Sequence, residues 1–285
     1  MSKWLTTQFN LFNVSLGPQN INKLLSDMTH GSLDITENYT FTLNGSGIDS
    51  ELLGLWSKFK EDLKHRSRFA FTFNEKLQKA LIEIMEINIE EIGENFTSYR
   101  ARNGTSSHVR AYSGDEIMCP PKNLVGNGRI NSKGIPYLYT ASDPDTAIAE
   151  IRPSKAVPVS VAKLATTKPH RFVKLEKSKF NNSLPLYQQY ELYRLANTIT
   201  LELSKPIDSS TSDFGYLATQ FIAELADSKN FDGIAFRSSL AEGTNYVFFR
   251  EDNIQFVDSE IVDVIGIEYV TEPRDRSLSD EDFKF

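Results

Sequence analysis

The stretch Gly128–Pro153, GRINSKGIPYLYTASDPDTAIAEIRP, decides how this chain folds. It opens on a glycine turn, and Ile135–Ala141 then reads as a short apolar strand containing Tyr137 and Tyr139. The strand runs directly into a helix start. Ser142 or Asp143 stands at the cap position and Pro144 in the first turn, where a missing N–H costs nothing. The helix Asp143–Arg152 is expected to be short because Pro153 ends it. The glycine cluster Gly126-Asn127-Gly128-Arg129 lacks the GK[ST] ending of a phosphate loop. It also precedes a strand, whereas a dinucleotide fingerprint follows one and opens a helix. A tight turn is therefore its better reading, and neither nucleotide-binding superfold is expected.

Downstream, strands are expected at Ala156–Leu164, Arg171–Leu175, Gly233–Ser238, Thr244–Arg250 and Ile261–Val270, and helices at Leu186–Ser204 and Phe214–Ser228. Upstream, Phe96–Arg102 reads as a strand. Apolar residues at steps of three and four place helices over Ile48–Arg68 and Asn74–Ile92, the second with Asn74 as N-cap and Gly93 as its stop. Beyond residue 95 strands outnumber helices without alternating regularly. That predicts an α+β fold with a mixed or antiparallel sheet, preceded by a mainly helical N-terminal portion. The expected division is 1–95 helical, 96–270 mixed, and 271–285 a charged flexible tail.

The 285 residues carry 31 Lys+Arg against 38 Asp+Glu, a net charge of −7, which disfavours sequence-independent nucleic-acid binding. One cysteine, Cys119, excludes an intramolecular disulfide and any multi-cysteine zinc site. The four histidines lie far apart, so no metal centre is expected. No run approaches the ~18 apolar residues of a membrane span, and Met1–Gly17 has no unbroken apolar core, so a soluble cytoplasmic protein is the expectation.

Ser98–Gly134 departs from the acidic whole, with six basic residues opposed by two acidic ones. The segment is either a solvated loop or a site for a phosphorylated ligand. Arg129, in a glycine turn, can fork onto a phosphate. Glu150 falls near the C-terminal end of its helix, where the dipole disfavours a carboxylate. Taken alone, it reads as a surface residue paired to Arg152 or Lys155.

Taken together, these pieces resemble the RES domain family. Gly128-Arg129-Ile130-Asn131, Tyr139-Thr140-Ala141 and Ala149-Glu150-Ile151 are similar to the family's turn, strand end and helix. Tyr99-Arg100, Met118-Cys119-Pro120-Pro121, the strand Asp232–Ser239 and Asn245 with Val247-Phe248-Phe249 follow in the family's order, over about residues 96 to 250. Ala101 departs from the aromatic residue that often follows the first Arg. The family Ser corresponds to Ser238 or to the region of Tyr216 and Thr219. Leu55–Lys60 and Lys64–Phe69 resemble, less specifically, a HEPN-like helical domain.

The resemblance implies a fold similar to ADP-ribosyltransferase toxins and an activity that consumes NAD⁺ as substrate, with no cofactor and with water or inorganic phosphate as co-substrate. It implies Glu150 as the catalytic carboxylate at the ribose, Arg100 and Arg129 at the pyrophosphate, Tyr139 beside the nicotinamide ribose, and Ser238 and Asn245 as further NAD⁺-binding residues. It further implies a toxin or defence effector restrained by a protein antitoxin with an Xre-type DNA-binding region. Protein ADP-ribosylation in the same pocket, or a non-enzymatic interaction role, are the competing expectations. Oligomeric state and the acceptor of ADP-ribose stay open.

Overall fold

The computed structural model describes residues 50–68, 73–105, 107, 109–176, 184, 186–204 and 212–267. The expected tail and most of the N-terminal segment lie outside these residues. The first helix among the described residues, α1 (Glu51–His65), buries Leu52, Trp56, Phe59 and Leu63 of the expected stripe, while Leu53, also expected in it, is half-buried. Asn74 caps α2 (Glu75–Ile87), its side chain accepting from the Leu77 N–H at 3.0 Å. This helix ends five residues before the expected Ile92. Asn88 caps it with a backbone φ of −103°, and its side chain donates to the Ile84 carbonyl at 2.8 Å. Ile89–Ile92 then forms β1, antiparallel to β5 (His170–Leu175). Helical periodicity extends into this segment, but β-branched Ile89 and Ile92 also suit a strand, and sheet pairing overrides the pattern.

The remaining helices and strands among the described residues are β2 (Thr97–Asn103), β3 (Leu138–Ala141), α3 (Pro144–Glu150), β4 (Val159–Thr166), α4 (Leu186–Ser204), α5 (Ser212–Gly215), α6 (Leu217–Ser228), β6 (Gly233–Arg237), β7 (Thr244–Phe248) and β8 (Ile254–Val262). Two further expectations are corrected. The single helix Phe214–Ser228 is broken at Tyr216, whose side chain turns into the cleft described below, after the poor helix former Gly215. The last strand lies at Ile254–Val262 rather than Ile261–Val270. Its partner β4 begins at Val159, which faces Val262, so the ladder has nothing left to pair with further on.

Among the described residues eight strands form one sheet in the order β1-β5-β6-β7-β3-β2-β4-β8, with β5–β6 parallel and the other pairs antiparallel. This is the mixed α+β architecture that the irregular succession of strands predicts. On one face α1, α2, α4 and α6 pack over Val173, Leu175, Ile234, Phe236 and Val247. The other face gathers Leu138, Leu164, Phe172 and Phe248 beneath the loop bearing Ile117, Met118 and Cys119. Central contacts are close. A Cβ on Gly233 would stand 2.3 Å from the Val247 carbonyl and 2.6 Å from the Phe172 ring, so β6 requires glycine there.

One irregularity positions the site. β2 pairs with β4 along its whole length, Thr97 to Asn103. It pairs with β3 at a single position, Tyr99 opposite Ala141. After Ala141 the chain leaves the sheet into α3, whose Ala147 packs with Ala101, Val159 and Val161. β2 is thus left open on one side.

Candidate active site

Where β2 and β3 part, a cavity of about 620 Å³ opens, within the range of small-molecule sites. β2, the end of β3, the last turn of α3, Tyr216 and Phe236 wall it. Four arginines, Arg100, Arg102, Arg129 and Arg152, line it against one carboxylate, Glu150. Three of the six basic residues of Ser98–Gly134, Arg100, Arg102 and Arg129, meet Arg152 on this concave surface, which suits an anionic ligand, whereas Arg110 pairs with Glu116 and Lys122 and Lys133 lie elsewhere.

Glu150 is not paired to Arg152 or Lys155. Its Oε1 accepts from Ser238 Oγ at 2.7 Å and from Asn245 Nδ2 at 2.6 Å. Ser238 Oγ itself accepts from the Leu240 and Ala241 N–H groups at 3.0 and 3.1 Å, so its one proton goes to the carboxylate. Ser238 and Asn245 are both 6% exposed. Their local frame is fixed by strands: Asn245 sits on β7 opposite both Ala141 and Phe236, and Ser238 directly follows β6. Both donors occupy one oxygen. Among the described residues no donor reaches Oε2, and Glu150 lines the cavity. The local fold delivers Glu150 through a tight cap on α3. Asp143 accepts from the Thr146 N–H at 2.8 Å, from Thr146 Oγ1 at 2.8 Å and from Ser142 Oγ at 2.7 Å. Burial opposes ionisation of Asp143, yet these hydrogen bonds hold its carboxyl below the usual range.

Arg129 rides on a turn held from every side. Tyr139 donates its hydroxyl proton to Asn131 Oδ1 at 2.8 Å and accepts from the Ile130 N–H at 3.2 Å. Gln220 Nε2 donates to the Gly128 and Asn131 carbonyls at 2.9 and 3.0 Å, and Thr219 Oγ1 donates to the Arg129 carbonyl. The guanidinium donates to the Leu203 carbonyl in the last turn of α4 and stands 5.8 Å from the Phe236 ring centre. It thus meets the negative end of a helix dipole while still lining the cavity. Burial pushes the Tyr139 hydroxyl well above its ordinary value, so it stays protonated and structural. Any ligand contact from Tyr139 comes from its ring.

Arg100 donates from Nη1 to the Tyr139 carbonyl at 2.8 Å, while its buried Nε has no partner. Burial lowers its affinity for the proton, though a guanidinium remains charged. A buried donor without an acceptor costs free energy. Cys119, beneath the sheet, is pushed up to about 12 by burial and is no nucleophile. Among the described residues no three His, Cys, Asp or Glu side chains cluster as metal ligands, and no helix is long and apolar enough to cross a membrane.

All six residues singled out from the sequence, Arg100, Arg129, Tyr139, Glu150, Ser238 and Asn245, therefore gather around this cavity, Ser238 from behind Glu150. Of the two places proposed for the family Ser, Ser238 touches Glu150, whereas Thr219 holds the Arg129 turn. Sequence reasoning missed Gln220 and the support given by Thr219. Their signal is two polar residues in the buried stripe of α6, 6% and 3% exposed, among Ala218, Ile222 and Ala223.

Residues 97–271, more than half of the chain, match the family model described as RES domain. No curated protein matches the chain. Among solved structures, the crystal structure of the M. tuberculosis MbcT–MbcA toxin–antitoxin complex shares 13% identity at a TM-score of 0.37. That match covers 65% of this chain and 93% of the other. None of these similarities supports the HEPN-like reading of the first 95 residues.

Proposed function

Because the chain belongs to the RES domain family, we propose that it cleaves the nicotinamide–ribose bond of NAD⁺ in the cleft between β2 and β3. One observation carries the reading: a carboxylate, Glu150, anchored by two donors on one oxygen and open on the other, at the wall of an arginine-lined cavity.

The chemistry follows from the charges. The bond from ribose C1″ to the pyridinium nitrogen breaks with its electron pair moving to nitrogen, so nicotinamide leaves neutral and requires no general acid. Positive charge develops on the ribose, as in glycosidase transition states. Glu150 Oε2, facing the ribose hydroxyls, stabilises that charge, and Ser238 and Asn245 prevent the carboxylate from turning away. Preorganised groups of this kind contribute about 3–4 kcal/mol. Arg100 and Arg129, both lining the cavity, hold the pyrophosphate. The ring of Tyr139 packs beside the ribose. An oxygen of water or of inorganic phosphate then bonds to C1″ and gives up its proton to solvent. Such an activity depletes a shared metabolite, so the chain acts as a toxin whose activity a protein partner must restrain.

The test is release of nicotinamide from NAD⁺ by purified full-length wild type and Glu150→Ala, in phosphate buffer and in phosphate-free buffer. Release by wild type alone supports the reading, and its dependence on phosphate separates phosphorolysis from hydrolysis. Equal release by both proteins removes Glu150 from the mechanism.

A further inference from the structure

Of the four cavity arginines, three are engaged by the protein: Arg100 with the Tyr139 carbonyl, Arg129 with the Leu203 carbonyl, and Arg102 with the Glu116 carbonyl and the Tyr112 ring. Arg152 is different. Among the described residues no acceptor meets its guanidinium, and its backbone is strained. It follows α3 with φ of +46°, a left-handed conformation that non-glycine residues adopt at a cost. Pro153 comes next, and the residue before a proline favours extended backbone. The helix itself does not need this side chain. What closes the turn is the Arg152 N–H donating to the Ala149 carbonyl at 3.0 Å, and glycine does the same without strain. The strained turn carries an exposed arginine that lines the cavity two residues beyond Glu150 and whose guanidinium meets no acceptor among the described residues.

We propose that Arg152 binds a phosphoryl oxyanion at the Glu150 end of the cleft. The ligand is either free inorganic phosphate, arriving as the acceptor, or a phosphate carried by the dinucleotide. Planar forked donors without a protein acceptor match the paired oxygens of a phosphoryl group. The inference rests on the dinucleotide-cleaving reading for what the phosphate is used for, but binding itself is measurable without cleavage.

Wild type, Arg152→Gly, Arg152→Asn and Arg152→Lys are melted with increasing inorganic phosphate and, separately, ADP-ribose, at constant ionic strength set with chloride. Without either probe, Arg152→Gly and Arg152→Asn are expected to melt no lower than wild type, since both residues tolerate a positive φ. Their apparent affinity for at least one probe falls by about tenfold or more, the loss of one charge-assisted hydrogen bond. Arg152→Lys keeps part of it. A fall for phosphate alone identifies the acceptor, and a fall for ADP-ribose alone identifies the dinucleotide's own phosphate. The proposal is overturned by unchanged affinity for both probes, by wild type binding neither, or by a lowered melting temperature in both the Gly and Asn variants. Nicotinamide release that depends on Glu150, alongside unchanged affinities in Arg152→Gly, leaves the proposed function standing and removes this inference alone. Arg152-dependent binding without NAD⁺ cleavage does the reverse.

Discussion

Replacing Asn245 by Asp tests the Glu150 anchorage with almost no change of shape. Asn245 Nδ2 lies 2.6 Å from Glu150 Oε1, and the new carboxyl oxygen would take its place. A donor becomes an acceptor, and two carboxyls face each other at a position 6% exposed. At ~4 Å between charge centres and an effective dielectric constant near 20, repulsion is about 4 kcal/mol. That corresponds to about three pKa units, so the pair holds one proton up to about pH 7. The shifted carboxyl has a folded-state pKa above its unfolded value of ~4. Its penalty is therefore absent below about pH 4 and grows as pH rises to about 7. Urea unfolding of N245D and wild type at pH 5 and pH 8 should show the stability gap widening by about 2–3 kcal/mol between the two. Adding Glu150→Gln removes one charge and should flatten the profile. A gap that does not change with pH, or one that Glu150→Gln leaves intact, would refute the contact and with it the argument for a fixed carboxylate.

Three other changes probe the frame of the site. Asp143→Ala removes the cap of α3 and should cost about 1 kcal/mol at neutral pH. The hydrogen-bonded carboxyl has a depressed pKa, so the difference from wild type should shrink as pH falls below about 4, as read by thermal melts across pH. Gly128→Ala places a Cβ 2.1 Å from Asn131 Oδ1 and 2.8 Å from the Tyr139 hydroxyl, so the turn bearing Arg129 must move. A shift on the order of 1 Å should weaken ADP-ribose binding or nicotinamide release by up to ~100-fold, while far-ultraviolet circular dichroism stays unchanged. Gln220→Ala leaves the Gly128 carbonyl without its side-chain donor and should lower stability by about 1–3 kcal/mol in denaturant titrations, with weaker ADP-ribose binding.

Local signals with a direct physical cause were legible in the sequence. The cap at Asn74, the stripe of α1, the strand-to-helix passage into Pro144 and the glycine turn at Gly128 each depend on neighbouring residues. The errors arose where distant pairing decides. Ile89–Ile92 is a strand because β5 lies beside it, and β8 begins at Ile254 because β4 fixes its register. The site shows the same division. Arg129 and Glu150 stood out by residue type and spacing, and the family resemblance supplied Arg100, Ser238 and Asn245. The partner of Glu150 was misread because Ser238 and Asn245 are 88 and 95 residues away, whereas Arg152 and Lys155 are close in sequence. Gln220 was invisible for the same reason: it serves a turn 92 residues upstream.

The single pairing of Tyr99 with Ala141 divides the sheet into a five-strand panel and a three-strand panel, joined by one stitch. Residues 100–103 of β2, left without partners on β3, line the cleft instead. A ligand lying there fastens two panels that the chain leaves unlaced. Binding in the cleft would thereby tie its occupancy and the unity of the sheet to one free energy.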